Sequence, residues 1–528
     1  MLGFKNITAP SERVNRPEEV SGRHWADPSR LARWALVLVV LKGLLVVGVE
    51  LGKDEVAYWY WARHHLDASY AFVLFALIRV FDVVLSDSDL LLRLPFLLGS
   101  VASAWLLNLA CERAGLTAQD RLVAVLSFAT SHWAWHTGSF LHPDGVLVPI
   151  WLATLASAHR AERTKSDADW ALTGVLAGLT CLCKYTGCIL AAGLMLALAL
   201  RGRHGLRALL LAAVPCAVVS TPLMWALWEL DFHLPFTLGS LSQVAAERPV
   251  IWRVCLFVLA PLLYVSAPLL WLLYGGIGRA WRQRTRDGVD LMLVPAASLL
   301  ATFAFFAIVN GQVKGNWVLP GLLGLWPLAF HNLHRRKFHR IWWVALLILG
   351  AGQTAVPAVT LRLPATARWL VSVSGTMVDA TYPAIVSPTD LPKEPTFSWT
   401  ERVCEYHGWS EFGRDVSARL IRADLTGVRL TSAEYGLGYG LGRYMPDRPA
   451  VTIIDDQRFA HIADVDAQES TIYVTRHGNP LPLSVSQRQP TWLDRTTRHD
   501  VGCEPVDYEI YLLPASYDVS AESNTESR

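Results

Sequence analysis

From Leu36 to Ala358 the chain runs as a succession of apolar stretches, roughly 16 to 23 residues each, divided by short polar turns. Stretches of that length suit helices crossing a bilayer. The pattern predicts eleven spans, near 33–51, 91–111, 121–138, 145–159, 169–183, 187–200, 206–228, 252–275, 289–309, 316–333 and 340–360. Those beside Asp144 and Lys184 are short, which predicts that they end inside a polar cavity. Between the first two spans, Val56, Tyr58, Trp59, Tyr60 and Trp61 form an aromatic-rich segment suited to the headgroup layer. The stretch from Tyr70 to Leu85 is apolar but short and contains Arg79 and Asp82, so it reads as a second interfacial helix, the pair occupying about 54–85. Counting it as a span would invert every later loop.

The positive charges support this count. Arg113 and Arg121, then Arg160, Arg163 and Lys165, then Arg201, Arg203 and Arg207, then Arg279, Arg282, Arg284 and Arg286, then Arg335, Arg336, Lys337 and Arg340 all fall on one side. The loops of the other side hold few, among them Lys53 and Arg63, then Arg248, then Lys314. The positive-inside rule places the first group in the cytoplasm. Residues 1–32, rich in Arg and without a signal-peptide cleavage pattern, read as a cytoplasmic lead-in.

Beyond Leu361 the apolar runs shorten to strand length, as in 450–454 and 470–474, and Glu411 to Ala423 carries helical spacing. Residues 361–517 therefore read as one small extracytoplasmic α/β domain, and 518–528 as a disordered polar tail. The expected fold is a polytopic α-helical membrane protein of about eleven spans, 33–360, with a soluble α/β domain on the outer face.

Composition agrees: 52% of residues are hydrophobic and 17% charged, with 22 Trp, unlike a soluble enzyme of this length. A net charge of +2 gives no reason to expect a nucleic-acid partner. Six of the eight cysteines fall in or beside spans, where cysteine usually serves as a small hydrophobe, and Cys181-x-Cys183 lacks zinc-site spacing. Cys404 and Cys503 are the two in the outer domain, where an oxidising compartment permits a bridge.

The outward turns collect the candidate chemistry: Asp54-Glu55, His142-Pro143-Asp144, Lys184-Tyr185, the loop from Glu229 to Ile251 with Arg248, and Lys314-Gly315-Asn316-Trp317. Ionisable groups buried at membrane depth are costly and usually functional. The order of these motifs, with Leu92-Arg93-Leu94-Pro95 opening the second span, resembles the membrane glycosyltransferases of the GT-C fold. The nearest group is the bacterial branch of lipid A aminoarabinose transferase and relatives of protein O-mannosyltransferases. Gly408-Trp409-Ser410-Glu411-Phe412-Gly413 and Tyr444-Met445-Pro446-Asp447-Arg448-Pro449 look like that branch's soluble domain, so the resemblance covers about 33–460. One departure stands out: relatives carry Asp-(His or Lys)-Pro-Pro after the first interfacial helix, whereas this chain reads Ser69-Tyr70-Ala71-Phe72-Val73-Leu74.

The resemblance implies a sugar carried on polyprenyl phosphate and moved to a lipid, glycan or protein acceptor at the outer face of a bacterial inner membrane, by an inverting hexosyl or pentosyl transferase. Asp54 matches the family's leading acid and is the candidate base; Glu55 would orient the acceptor or help hold a divalent cation, the one cofactor left open. Asp144 would position the acceptor or stabilise oxocarbenium character, or else cap its helix. Lys184 and Lys314 would bind phosphate, the alternative being lysines that snorkel to headgroups, with Arg248 in reserve. Tyr58, Tyr185, Asn316 and Trp317 complete the candidate substrate contacts. His132, His136 and His142 suggest a metal, but only the first two share i, i+4 spacing. Two other classes remain: a lipid-linked sugar transporter or flippase, and a non-catalytic scaffold of the same fold.

Overall fold

The computed structural model describes residues 37, 39–64, 71–85, 88–229, 249–282, 288–310, 315–331, 340–366, 369, 403–454, 469–499 and 503–515. The expected lead-in at 1–32 and tail at 518–528 lie outside them. After a helical stretch ending at residue 46, the chain forms α1 (Lys53–His64), α2 (Phe72–Leu85), α3 (Asp89–Arg113), α4 (Ala118–Ala129), α5 (His132–Ser139), α6 (Pro143–Thr164) and α7 (Asp167–Cys183). Next come α8 (Tyr185–Leu200), α9 (Arg203–Glu229), α10 (Val250–Leu259), a 3-10 turn (Ala260–Leu263), α11 (Ala267–Arg282), α12 (Asp290–Asn310), α13 (Gly315–Phe330) and α14 (Arg340–Arg362). The C-terminal unit contains α15 (Trp409–Arg422), β1 (Arg429–Ser432), α16 (Tyr435–Tyr444), β2 (Val451–Ile453), β3 (Thr471–Arg476), α17 (Leu483–Ser486), β4 (Thr491–Arg498) and β5 (Val506–Leu513).

Among the described residues, α3, most of α9, α12 and α14 are long and apolar enough to cross a membrane. Helices α5 and α6 make a fifth crossing if taken as one span bent by 110°. Among the described residues, two of the expected spans break in their interior. The run 121–138 breaks between α4 and α5, where Ser131 caps the new helix by accepting from Ala134 N. The run 252–275 breaks through the 3-10 turn, since Pro261 and Pro268 supply no N–H and each favours a helix start. Residues 72–85 form a separate short helix, as their length required.

Two contacts show how the bundle closes. Gly174 and Gly178 on α7 meet the backbone of α9 directly: a Cβ at Gly174 would lie 2.1 Å from Ala212 O, and one at Gly178 would lie 2.8 Å from Cys216 O. Small residues four apart let two helix backbones touch, which is the main source of packing energy where lipid removes the hydrophobic drive. On the Arg-rich side, Arg201 forks onto Asp290 with two 2.6 Å bonds and also reaches Glu162, joining α6, α8 and α12.

The C-terminal unit is a five-stranded mixed sheet in the order β2-β1-β3-β5-β4, parallel from β2 to β3 and antiparallel from β3 to β4. The expected strands at 450–454 and 470–474 appear as β2 and β3, and the expected helix at 411–423 as α15. This unit shares a hydrophobic core with the membrane helices. Trp59, Trp61, Phe75, Phe96 and Leu147 pack in one buried cluster with Trp409, Phe412, Leu441 and Ile453. Cys404 and Cys503 are joined by a disulfide, their Cα atoms 5.8 Å apart.

Two measurements check this architecture. Gly174→Val should cost about 3 kcal/mol, the upper end for overpacking, read as a lower melting temperature of the purified protein; an unchanged value would contradict the close approach of α7 and α9. Alkylation of denatured, unreduced protein should leave Cys404 and Cys503 unlabelled, and reduction should expose both.

Candidate active site at the junction of the two units

The adjacent acids at the start of α1 have opposite surroundings. Asp54 is exposed, and its Oδ1 accepts a 2.7 Å hydrogen bond from the Tyr435 hydroxyl. Glu55 is buried. Its Oε1 accepts from Arg93 Nε and Leu141 N, both at 2.9 Å, and its Oε2 accepts from Arg93 Nη2 at 2.5 Å and Gly52 N at 3.0 Å. Four donors fill the acceptor sites of a carboxylate. The expectation that Glu55 orients an acceptor or holds a cation is therefore corrected: its lone pairs are spent inside the protein. Arg93 is itself fully buried, and its remaining N–H groups donate to Val49 O at 2.6 Å and Glu50 O at 2.9 Å. The guanidinium thus fixes the turn that leads into α1.

The C-terminal unit grips the same turn from the other side. Glu50 accepts from Trp409 N at 2.7 Å and Ser410 N at 2.9 Å, capping α15, whose own N-cap, Gly408, has no side chain to do so. Lys53 pairs with Glu405 at 3.4 Å. Tyr444 OH donates to Asp89 Oδ2 and accepts from Leu51 N, both at 2.6 Å. Burial, then the charges of Asp89 and Glu50, holds that phenol well above its ordinary range, so it stays protonated and can donate. Arg443 reaches Asp89 at 3.1 Å and Asp82 at 3.5 Å over the Trp59 ring, and Asp82 also accepts from Trp59 Nε1 at 2.8 Å.

Asp144 sits at the start of α6, but His142 caps that helix, accepting from Asp144 N at 3.1 Å. The capping alternative for the Asp144 carboxylate is thereby corrected. Its Oδ1 accepts from Lys184 Nζ at 3.0 Å, with both side chains buried. Lys184 occupies the extended residue between α7 and α8, and its ammonium is buried against Asp144. Two buried atoms beside this pair, Asp144 Oδ2 and Thr186 Oγ1, have no hydrogen-bond partner among the described residues. His136 packs 5.0 Å from His142. The bond from Leu141 N to Glu55 ties the turn that carries His142 and Asp144 to the start of α1, beside Asp54.

The other candidates divide. Tyr185 and Trp317 meet edge to face at 6.4 Å next to Lys184, and Trp317 leans on Phe303; Asn316 sits half-buried in the first turn of α13. Tyr58 packs against Trp61 and Phe75, a role in the α1–α2 contact. Arg248, Lys314 and residues 65–70, which hold the start of the departing Ser69–Leu74 stretch, lie outside the described residues. Among the described residues no group of three or more His, Cys, Asp or Glu side chains is placed to hold a metal ion.

Sequence reasoning missed Arg93 as the partner of Glu55 and missed Tyr435 altogether. An arginine opening an apolar span was a usable signal for the first. The Tyr435 contact crosses 381 positions and left no local signal.

Residues 69–225 match the model of the dolichyl-phosphate-mannose-protein mannosyltransferase family. Two crystal structures of ArnT from Cupriavidus metallidurans, one bound to undecaprenyl phosphate and one in the apo state, share the fold. Each has a TM-score of 0.57 and 15% identity, covering 92% of this chain and 98% of that one. No curated protein matches the sequence. The chain therefore has the ArnT-like GT-C fold that its motifs resembled.

The buried pair generates a prediction. Lys184→Ala strands the Asp144 carboxylate without its countercharge and should cost about 3–5 kcal/mol, read as lost folded protein. The double variant Asp144→Asn/Lys184→Met should recover most of it. Equal yields of the single variant and the native protein would contradict the pairing.

Proposed function

We propose that this protein is a membrane glycosyltransferase that moves a hexose or pentose from a polyprenyl-phosphate donor to a lipid, glycan or protein acceptor. The observation that carries this reading is an exposed carboxylate, Asp54, at the start of α1, whose neighbour Glu55 bonds the turn leading to the buried Asp144–Lys184 pair. Support comes from the mannosyltransferase family match and from the fold shared with an ArnT structure bound to undecaprenyl phosphate.

The reaction needs a base at the acceptor and positive charge at the leaving phosphate. Asp54 takes the hydroxyl proton as the acceptor oxygen bonds to the sugar's anomeric carbon. The bond from that carbon to the phosphate oxygen breaks, and polyprenyl phosphate departs with the electron pair. Attack opposite the leaving group inverts the anomeric centre. Lys184, paired with Asp144, is the described candidate for that positive charge; Lys314 and Arg248 remain candidates by position in the chain. Asp144 Oδ2 and Thr186 Oγ1 have no hydrogen bond among the described residues; the first accepts from a sugar hydroxyl, and the second donates to the sugar or phosphate. Tyr185 and Trp317 offer an aromatic wall for the sugar or the first prenyl unit.

The proposed setting is a bacterial inner membrane with the α/β unit outside. Arg-rich loops on the opposite side support that orientation, as does a disulfide in the α/β unit, which suits an oxidising compartment.

Asp54→Asn retains size and hydrogen bonding but cannot accept a proton. Transfer from undecaprenyl-phosphate-linked sugars should fall by about 10²–10⁴ while donor binding persists. Near-normal transfer by well-folded Asp54→Asn would end this assignment.

A further inference from the structure

We infer that Tyr435, in the α/β unit, is a positioning residue for the Asp54 carboxylate, so that the α/β unit completes the active site. The inference rests on reading Asp54 as the base. Its geometric ground is the 2.7 Å bond from the Tyr435 hydroxyl to Asp54 Oδ1. A bond to one carboxylate oxygen restrains rotation of the carboxylate plane and favours its charged form, and both effects serve a base.

The placement of Tyr435 is set by how α16 lies on α1. Glycines face the contact. A Cβ at Gly436 would fall 2.8 Å from Lys53 Cβ, and one at Gly442 would lie 3.8 Å from the Tyr60 ring. With no side chains between them the helices come close enough for two further ties, and α1 also bonds β2. Tyr439 stacks on Tyr60 at 4.6 Å and its hydroxyl accepts from Trp61 Nε1 at 3.2 Å. The Tyr60 hydroxyl accepts from Val451 N at 2.8 Å and donates to Val451 O at 3.0 Å. These ties, one turn on along α16 and at β2, hold the α/β unit to α1 without Tyr435. Removing the Tyr435 hydroxyl therefore leaves the contact standing and deletes its bond to Asp54.

Among the described residues, charged and titratable groups set near Asp54 include Lys53, its neighbour on α1, with its ammonium 5.9 Å from the Tyr435 ring centroid. Glu405 lies behind Lys53 at 3.4 Å, the charge of Asp54 reaches His136 on α5, and Tyr435 comes from α16. Tyr435 alone among them donates a hydrogen bond that a one-atom substitution deletes without altering charge.

The test uses the full-length protein in nanodiscs. An infrared difference titration, native minus Asp54→Asn, isolates the Asp54 carboxyl band and gives its midpoint without any assay of transfer. Tyr435→Phe removes stabilisation of the charged form, so the midpoint should rise by about one pH unit with the melting temperature unchanged. The acidic limb of transfer from undecaprenyl-phosphate-linked sugar should move up with it. A fluorinated tyrosine at 435, nearly the same size and a stronger donor, should move the midpoint down, and it serves if the Phe variant folds poorly. Loss of transfer in Asp54→Asn with an unmoved midpoint in the Tyr435 variants overturns the role of Tyr435 and spares the base. Near-normal transfer in Asp54→Asn removes the base, and the positioning role goes with it.

Discussion

The buried pair between Glu55 and Arg93 is the constraint on which the site depends. Neither side chain is solvated, and the guanidinium uses its fork on the carboxylate and its remaining donors on the carbonyls of Val49 and Glu50. Desolvating two charges costs several kcal/mol per ion, so such a pair contributes little net stability. Removing one partner is another matter, costing about 3–5 kcal/mol because the other charge is left buried and unpaired. What the pair supplies is geometry. It fixes the non-helical turn after the first span, and the direction of that turn decides where Asp54 points.

From that turn the two units are fastened together. Glu50 caps α15 across the boundary, Tyr444 bridges Leu51 N and Asp89, and Arg443 spans Asp82 and Asp89 over Trp59. A capping bond is worth about 1 kcal/mol and charged bonds somewhat more, so no single contact decides the interface. Their arrangement does. The fastenings enclose the apolar cluster of Trp59, Trp61, Phe75, Trp409 and Phe412, and the low dielectric there strengthens each polar contact around it.

Much of the scaffold was legible because membrane and sheet impose coarse periodicities. Run lengths marked the helices, strand-length runs marked β2 and β3, and two cysteines in one unit left a single pairing to consider. The interruptions were harder to see. Ser131 caps a helix, and Pro261 and Pro268 restart one, inside stretches that read as single apolar runs. β4 and β5 escaped notice because Thr491–Arg498 is largely polar and lies at the sheet edge. Within the site, hydropathy cannot separate Asp54 from Glu55. The two differ only in what reaches them, Tyr435 for one and Arg93 for the other, and both partners are remote in sequence.

The position of the disulfide follows the same logic. Cys404 precedes the segment that does most of the gripping: Glu405 pairs with Lys53, the Tyr406 carbonyl accepts from Glu50 N, and His407 bonds Leu361 O at 2.8 Å. The Tyr406 ring occupies the space beside Gly52, where a Cβ would lie 2.4 Å from it, so the turn needs glycine there. Bridging this segment to Cys503, which precedes β5, ties the gripping residues to the sheet itself. A bridge closing so long a loop acts largely by restricting the unfolded chain, commonly about 2–4 kcal/mol. Its location adds a second effect, since any fraying of residues 404–410 would release Glu50, Gly52 and Lys53 at once. The covalent link therefore lies where local opening would most disturb Asp54, and the α/β unit and the membrane helices hold the site as one structure.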